Sequence, residues 1–478
     1  MTQRRTLALL LALAVAAAPV RAEGTPEARA ITASDLWAVK RPSALRLSPD
    51  GSKLVFAVQE FDLEKNSSVS HLWILETASG ATRKLTSAES TDAHPEWSPD
   101  GSRIAFTSKR GSDEVPSLYV IPVDGGEAER VLELPLAMSV LKWLPDGRHV
   151  VVATDVFPRF SGDLAATKAE IRRQKESKVT AKATEDGFYR YFDTWHTDGK
   201  ATHLILVDLA TRKTTDLTPG WTRAFRFDQE VQFDVSPDGK WIALCAGTTP
   251  PPYRGSQNLD IYLLSVEHPE NPWRNLTSDN AGADTDPRFV PDGSAVLFGR
   301  TLNEANSAEV RKLTRVDLAS GKATPLFPGL DLSVADWHAS PDGAAIYFAA
   351  EDHGRTKVFV SRAGSPPSAI AQDGTDSSLA IGRGALFFLH QNFSRPDEIY
   401  GLDLATGKSS LRSHLNDALF SRLKLGKVEE HTYAGADGDP IELWLIYPPD
   451  FDPARKYPLL VLMHGGPQTM IGDMWQPR

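Results

Sequence analysis

Residues 47–58 read LSPDGSKLVFAV, a tight turn that leads directly into an apolar strand. Ser48 suits the first position of a type I turn, and the proline after it presets the backbone angle of the second position. Gly51 takes the left-handed conformation that returns the chain into a strand. Apolar residues then alternate, as Leu54 and Phe56 do, which predicts a strand with one buried face. The stretch therefore predicts a β-hairpin.

The same Pro-Asp-Gly turn recurs along the chain at intervals of 50, 46, 92, 54 and 50 residues. The six copies begin at Pro49, Pro99, Pro145, Pro237, Pro291 and Pro341. Each hairpin is followed by a second pair of strand-like segments joined by a polar turn, as in residues 71–86, HLWILETASGATRKLT. Four short strands in a repeat of about 50 residues are typical of one blade of a β-propeller.

A seventh unit lacks the Pro-Asp-Gly turn and is formed by residues 380–389 and 397–404. We therefore predict a mostly β protein, with a seven-bladed β-propeller over residues 43–420 behind an N-terminal segment, 23–42. A propeller alone does not name a function, because the same scaffold serves many. The repeats equally fit a TolB-like periplasmic propeller that acts as a binding module.

The interval of 92 residues indicates that one blade carries an insert, which we place at about residues 157–199. Residues 163–178 of this insert, DLAATKAEIRRQKESK, are mostly good helix formers with charges of both signs. Two interpretations are open. The insert is either a solvated helix on the rim of the propeller or a helical flap beside a substrate path, since long insertions in repeats usually lie on the binding face.

The N-terminus predicts export. A basic head with Arg4 and Arg5 precedes an apolar run over residues 6–18, and Val20-Arg21-Ala22 offers small residues where a signal peptidase cuts. We predict a signal peptide over residues 1–22 and a periplasmic or secreted protein without a membrane span after cleavage. The alternative is a membrane anchor, for which the apolar run is short.

Composition narrows the range of partners. The net charge of −10 argues against nucleic acid, because binding phosphates requires a basic surface. The single cysteine, Cys245, excludes an intramolecular disulfide and lies in a strand-like run, so we interpret it as a small core residue. No histidines stand at the spacing of a metal site, and His196 and His203 are separated by a glycine that would interrupt a helix.

The pattern changes after residue 420. Residues 427–447 read as two strands joined by an Ala-Asp-Gly-Asp turn, and 459–463 form a continuous apolar run. Such a run predicts a strand buried on both faces of an α/β sheet. His464-Gly465-Gly466-Pro467 follows at once. In α/β-hydrolases the loop after the third strand supplies N–H groups to the oxyanion hole, often through a His-Gly-Gly sequence.

Behind a propeller, this arrangement resembles the prolyl oligopeptidase family of serine peptidases. Further similar segments are DLWAVKR at 35–41 and RPDEIY at 395–400, while YFDTWH at 191–196 resembles the dipeptidyl-peptidase and acylaminoacyl-peptidase branches. The resemblance implies that residues 421–478 are the truncated start of an α/β-hydrolase catalytic domain. It also implies a peptide substrate, with no cofactor and no metal.

The resemblance assigns the oxyanion loop to Gly465 and Gly466, with His464 beginning the loop rather than acting as a base. The family's nucleophile stands in a Gly-x-Ser-x-Gly motif, whereas the single Gly-x-Ser here, at residues 407–409, is followed by residues that break the motif. We therefore assign no nucleophile, base or orienting residue, and we expect the chain to be inactive alone. Peptide specificity, whether dipeptidyl, acylaminoacyl or endopeptidase, stays open, as does the oligomeric state.

Acidic residues hold the substrate amino terminus in dipeptidyl-peptidases of this family. Glu170 with Glu176, and Glu429 with Glu430, are candidates of the right chemistry, but none of them stands in a recognisable motif. We leave the substrate-binding residues unassigned.

Overall fold

A computed structural model of the protein describes residues 28–160, 162–191, 194–196, 198–227, 230–254, 258–303, 309–466 and 469–475. The predicted signal peptide, residues 1–22, lies outside the described residues. The described chain is mostly β, and its strands form a series of four-stranded units in chain order.

The seven units are here called sheets 1 to 7. Sheet 1 is β2 (Arg41–Leu47), β3 (Lys53–Asp62), β4 (Ser67–Glu76) and β5 (Thr82–Lys84). Sheet 2 is β6 (Asp92–Trp97), β7 (Arg103–Ser108), β8 (Ser117–Pro122) and β9 (Glu129–Leu132). Sheet 3 is β10 (Met138–Trp143), β11 (His149–Val156), β14 (Ala201–Asp208) and β15 (Thr214–Asp216).

Sheet 4 is β16 (Phe233–Val235), β17 (Trp241–Gly247), β18 (Leu259–Ser265) and β19 (Arg274–Asn275). Sheet 5 is β20 (Asp284–Phe289), β21 (Ala295–Arg300), β22 (Lys312–Asp317) and β23 (Ala323–Pro325). Sheet 6 is β24 (Val334–Ala339), β25 (Ala345–Asp352), β26 (Arg355–Arg362) and β27 (Ser368–Ala371). Sheet 7 is β28 (Thr375–Ile381), β29 (Ala385–Asn392), β30 (Arg395–Asp403) and β31 (Ser409–Leu411), and one parallel pair, Thr356 with Thr375, joins it to sheet 6.

The Pro-Asp-Gly turns join the first and second strands of sheets 1 to 6, as the sequence predicts. In the first turn, Ser48 Oγ donates to Asp50 Oδ1 at 2.6 Å and accepts from the backbone N–H of Lys53 at 2.9 Å. Asp50 Oδ1 also accepts from the backbone N–H of Ser52 at 3.0 Å. These bonds satisfy polar backbone groups of the turn from within the turn, so each hairpin is stabilised by its own residues.

The core lies between neighbouring sheets. Val55 of sheet 1 packs in one buried cluster with Phe106 of sheet 2, and Phe56 of sheet 1 packs with Phe387 of sheet 7. Sheet 7 therefore lies against sheet 1, and the first strands of successive sheets are neighbours around a centre, except that sheets 5 and 6 meet through a shared core cluster. This is the arrangement of a β-propeller.

The outer edges of the sheets are short. The fourth strands are only two to four residues long in every sheet. Short edge strands limit pairing with other chains, because they expose few unpaired backbone groups.

The N-terminal segment spans sheet 1 and the exit from sheet 7. It contains β1 (Arg29–Ala30) and α1 (Ala33–Ala38), and β1 pairs in parallel with β32 (Leu423–Lys424). A short helix, α3 (Asp417–Phe420), precedes β32. Sheets 1 and 7 share no strand, so this clasp and the packed side chains join the two ends of the propeller.

The insert leaves sheet 3 between its second and third strands and contains α2 (Leu164–Glu176). Asp163 caps the helix, because its carboxylate accepts from the backbone N–H groups of Ala165 and Ala166 at 2.9 and 3.0 Å. Most of α2 is exposed, apart from Thr167 and Glu170. Two short strands, β12 (Arg190–Tyr191) and β13 (Thr194–Trp195), form a hairpin before the chain returns to sheet 3.

After the propeller, β33 (Val428–Ala434) and β34 (Pro440–Ile446) form the antiparallel hairpin that the sequence predicts. A short 3-10 turn over Ala436–Gly438 joins them, with Asp437 at φ 57°. This hairpin is paired only with itself among the described residues.

The strand predicted over residues 459–463 is wrong for this structure, in which the run has no regular secondary structure. Its five side chains are 67–88% exposed. A strand buried on both faces needs paired neighbours and covering layers. Among the described residues no strand pairs with this run, so its apolar side chains lie in solvent.

Candidate functional site

One face of the propeller carries the features that the sequence connects with function. We call it the loop face, and it is the face on which the second strand of each sheet ends and the third begins. Its connections are residues 63–66, 109–116, 157–200, 248–258, 301–311, 353–354 and 393–394. The insert is one of these connections, so it lies on the loop face rather than on the opposite face of the propeller.

The hairpin of β33 and β34 contacts the loop face at sheet 6. Arg355 pairs with Glu430 at 2.8 Å, and His353 Nδ1 lies 2.5 Å from Glu442 Oε1. The hydrogen bond and charge of Glu442 raise the pKa of His353. Trp444 lies beneath the Arg355 guanidinium, whose centre is 5.0 Å from the ring. The predicted start of the catalytic domain therefore lies on the same face as the insert.

Gly465 and Gly466 lie in an exposed loop that follows the apolar run 459–463. Gly466 has φ 144°, a backbone conformation that favours glycine, and a side chain on Gly465 would meet no atom within 4 Å. Thr469 Oγ1 donates to Gly465 O at 2.5 Å. Neither glycine N–H donates to a backbone carbonyl of the described chain. The assignment of these two N–H groups to an oxyanion hole stays a prediction.

The end of the insert is fixed to sheet 4 by aromatic packing. Phe188 of the insert lies 4.8 Å from Phe227, which also contacts Tyr253 at 5.0 Å and His196 at 4.7 Å between ring centres. The backbone N–H of Gly187 donates to Pro252 O at 2.6 Å. The insert leaves sheet 3, and these contacts attach it to sheet 4. The part around Gly187 and Phe188 is therefore packed against the propeller and is not a free flap.

A ring of charged residues lines the centre of the propeller. Each member stands two positions before the first residue of a turn: Arg46, Glu96, Lys142, Asp234, Arg288 and His338. Neighbours in the ring pair across sheets, as Arg46 does with Glu96 at 2.7 Å and Lys142 with Asp234 at 3.4 Å. In sheet 7 the equivalent residue is Ala380, so the ring is interrupted between sheets 6 and 1.

The third contact in this ring joins Arg288 to His338. Arg288 Nη1 donates to His338 Nε2 at 2.8 Å, and burial together with the Arg288 charge lowers the pKa of His338. Our sequence reasoning missed the ring. Its signal is the alternation of sign from Arg46 to Arg288 at one fixed position of the repeat, which becomes visible only when the turns are aligned.

Buried carboxylates mark the beginning of three first strands. Asp92 pairs with Arg110 at 2.7 Å, Asp284 with Arg300 at 2.8 Å, and Asp376 with His390 at 2.7 Å. Burial raises the pKa of Asp376 to about 6. Burial also opposes the charged form of His390, but the hydrogen bond that His390 donates to Asp376 and the nearby carboxylates outweigh it and raise the pKa of His390. Both side chains are enclosed, so this pair supports the fold and does not face a substrate.

The glutamates considered as ligands for a substrate amino terminus all have partners within the protein. Glu170 binds Arg173 and Arg159, each at 2.7 Å, and its pKa falls to about 2 mainly through the hydrogen bond from Arg173. Glu176 binds Arg172 at 2.8 Å. Glu430 binds Arg355, and Glu429 lies among Lys427, His431 and Tyr447. None of them is assigned a binding role.

The remaining candidates of the sequence have structural surroundings. Cys245 is fully buried in the core of sheets 4 and 5, as predicted. His203 is buried between Asp216 and the carbonyl of Trp221, at 2.7 and 2.8 Å. Within the described ranges, no three histidine, cysteine or acidic residues are grouped to hold a metal ion. No helix of the described residues is both long and apolar enough to span a membrane.

Comparison with known proteins finds relatives for both the propeller and the segment that follows it. Residues 40–189 match the family model of the TolB beta propeller domain. The chain is 26% identical over 477 residues to dipeptidyl-peptidase 5 of Porphyromonas gingivalis, covering 97% of this chain and 67% of the relative. It is also 26% identical over 464 residues to the uncharacterized peptidase YuxL of Bacillus subtilis, covering 93% of this chain and 68% of that protein.

Among solved structures, an acylaminoacyl peptidase of Pyrococcus horikoshii superposes with a TM-score of 0.72 at 17% identity. The superposition covers 94% of this chain and 64% of that protein, and at this identity it shows a shared fold alone. The chain thus spans about two thirds of the length of the relatives that it matches.

The chain therefore combines a match to a TolB-like propeller domain with homologues, along nearly its whole length, that are peptidases. These homologues are members of the prolyl oligopeptidase family, of the dipeptidyl-peptidase 5 and acylaminoacyl-peptidase type.

Proposed function

We propose that the protein is an exported serine peptidase that hydrolyses short peptides in the manner of a dipeptidyl-peptidase or an acylaminoacyl-peptidase. The observation that carries this is the match to dipeptidyl-peptidase 5 over 97% of the chain, because it includes the propeller and the hairpin that follows it. A propeller that only binds a partner would need neither β33 and β34 nor the apolar run before Gly465.

In this proposal sheets 1 to 7 are the seven blades of a closed propeller, and residues 421–478 begin an α/β-hydrolase domain. The neighbouring first strands and the packing of sheet 7 on sheet 1 support the blade count. The hairpin on the loop face supports the position of the catalytic domain. Gly465 and Gly466 would donate N–H groups to the tetrahedral oxyanion, where one donor is typically worth about 3 kcal/mol in the transition state.

Residues 1–478 contain no Gly-x-Ser-x-Gly motif, so we propose that they do not form a complete serine triad. The polypeptide 1–478 then does not hydrolyse peptides by itself. The insert, which is anchored on sheets 3 and 4, would form one wall of the path by which a peptide reaches the loop face.

The test compares the protein produced from its uninterrupted native locus with the polypeptide 1–478. Both are incubated with chromogenic dipeptidyl and acylaminoacyl substrates. We expect the native-locus protein to hydrolyse at least one class and the polypeptide 1–478 to hydrolyse neither. A folded native-locus protein that hydrolyses neither class would contradict the proposal and favour the TolB-like binding module.

A further inference from the structure

The segment that follows the Gly465–Gly466 loop returns to the propeller and is fixed there by Asp473. The backbone N–H of Asp473 donates to Gly354 O at 2.7 Å, and its carbonyl accepts from Thr375 Oγ1 at 3.0 Å. Its side-chain Oδ1 accepts from the backbone N–H of Phe393 at 2.9 Å. One residue therefore contacts a turn of sheet 6, the first strand of sheet 7 and a turn of sheet 7.

Tryptophans on either side complete the docking. Trp444 of the hairpin donates from Nε1 to Ile471 O at 2.9 Å, and it packs on Phe393 with ring centres 5.2 Å apart. The backbone N–H of Trp475 donates to Gln391 Oε1 at 3.1 Å, and its ring lies edge-on to Phe420 at 4.9 Å. The segment thus bonds to the propeller and to the hairpin at the same time.

The fit is close at Gly354, which has φ +65°. A side chain there would come within 3.0 Å of the Trp444 ring, so Trp444 fills the space above this turn. Gly472 is buried between the turn and the methionines on its two sides, Met470 and Met474. Such close packing fixes residues 470–475 in one position on the loop face, which we call the seat.

The chain before this segment is not packed against the propeller in this way. Residues 459–463 are largely exposed, and the loop of Gly465 and Gly466 makes its described side-chain bond to Thr469, immediately before the seat. The position of the loop relative to the propeller is consequently set by what holds it at its two ends. The hairpin holds one end, and Asp473 holds the other.

We propose that Asp473 is a positioning residue through which sheets 6 and 7 hold the Gly465–Gly466 loop in place over the loop face. The role of that loop in catalysis rests on the proposed function, but the docking of the segment does not. The Asp473 carboxylate makes a charge-assisted bond to a backbone N–H, which is stronger than a neutral one and is directional. Loss of the carboxylate removes the bond from Phe393 while the two backbone bonds of residue 473 remain, so the segment is held less firmly and the loop moves more relative to the propeller.

The test measures the position of the loop with two spin labels, because the single native cysteine is fully buried. Cysteines replace Met463, which is 88% exposed, and Lys65 in the exposed turn of sheet 1. The distance distribution is then measured in the otherwise native chain and in D473A, D473N and D439A. Asp439 is the matched control, since it is an exposed acidic residue in the hairpin turn.

We expect D473A to widen the distribution at least twofold, while D473N, which keeps the accepting oxygen, stays within about 30% of the native width. D439A should leave the width unchanged. Hydrogen exchange of residues 470–475 should rise about tenfold in D473A alone, and an unchanged thermal midpoint of the propeller shows that the variant is folded. A native width in D473A, or equal widening in D439A, would overturn the proposal.

A kinetic arm separates this proposal from the proposed function. In a native-locus protein that is active, D473A should lower kcat at least tenfold with a smaller change in KM, because the loop acts in the transition state. An unchanged kcat would overturn the positioning role. A native-locus protein without activity would contradict the proposed function, and the label distances would then decide the role of Asp473 by themselves.

Discussion

The serine that opens four of the six turns shows how one hydroxyl joins two strands. Ser98 Oγ donates to Asp100 and accepts from the backbone N–H of Arg103, so it bridges the turn and the strand after it. In sheets 3 and 5, Leu144 and Val290 take this position, and the carboxylate bond within the turn remains without the hydroxyl. The serine therefore adds stability to a turn that already forms.

Replacing this serine should destabilise the propeller. S98A removes both bonds and leaves the N–H of Arg103 without its side-chain acceptor, for which we expect a loss of about 1–3 kcal/mol in the free energy of unfolding. Urea denaturation measures it. S87A, at an exposed serine, is the control. Equal stability of the two variants would show that the hydroxyl bridge contributes nothing.

The aspartates of the same turns have lowered pKa values, so we expect the protein to lose stability in acid. The hydrogen bond from Ser48 and further bonds from Ser52 lower the pKa of Asp50 to about 2, and the corresponding bonds lower that of Asp100 to about 2. A carboxyl with a lowered pKa in the folded state stabilises the fold above its ordinary pKa near 3.8 and loses this contribution as the pH falls towards 2.

Thermal midpoints between pH 5 and pH 2 test this. We expect the midpoint to fall through that range, and the fall to be shallower in D100N, because asparagine keeps the accepting oxygen but does not titrate. A D100N variant with the same pH dependence as the native protein would assign the acid sensitivity to other carboxyls.

At the scale of elements, the N-terminal segment and the exit from sheet 7 form a clasp. The Asn416 side chain accepts from the N–H of Lys40 at 2.9 Å and donates to the carbonyl of Lys40 at 3.0 Å. Glu398, fully buried in sheet 7, accepts from the backbone N–H of Asn416 at 2.8 Å. Sheets 1 and 7 share no strand, so the bonds of the clasp connect them instead.

Breaking the clasp should loosen the propeller at the junction of sheets 7 and 1. N416A leaves two backbone groups of Lys40 without partners in a half-buried position, which we expect to cost about 1–3 kcal/mol in the free energy of unfolding. N271A, at an exposed asparagine, serves as control. Hydrogen exchange in β2 and β30 should rise in N416A before other sheets respond. Uniform exchange along the chain would argue against a local clasp.

The elements that could be predicted from sequence are those with local causes. The turns, the hairpin of β33 and β34 and the helix-forming stretch of the insert follow from residues next to one another. The clasp could not be predicted, because Asn416 and Lys40 are 376 positions apart and meet only when the propeller closes. The run 459–463 has the composition of a buried strand, but composition does not supply the neighbours that such a strand needs.

At the scale of the molecule, the ring of alternating charges joins sheets through the centre. Each member is unremarkable by itself, and its partner is set by the closure of the propeller rather than by spacing in the sequence. In the candidate site, too, contacts between residues far apart in the chain could not be predicted from the sequence. The glycines of the loop were found from a motif, whereas Asp473 and Arg355 depend on contacts that residues 470–475 and the hairpin make with sheets 6 and 7.

Charge reversal tests the ring. E96R places two guanidiniums together and should destabilise the protein by about 1 kcal/mol or more, while R46E combined with E96R should restore part of the loss. Urea denaturation of the native protein, both single variants and the double variant gives the coupling. Additive effects of the two substitutions would show that Arg46 and Glu96 do not act as a pair.

Our central proposal is that the protein is a serine peptidase like its homologues of the prolyl oligopeptidase family, and covalent labelling tests it most directly. A serine-directed fluorophosphonate is added to the native-locus protein and to the polypeptide 1–478, and intact mass is measured. We expect one adduct on the native-locus protein, loss of its peptidase activity, and no adduct on residues 1–478. A folded native-locus protein without an adduct would contradict the peptidase proposal, and an adduct on the polypeptide 1–478 would contradict the proposal that these residues do not form a complete triad.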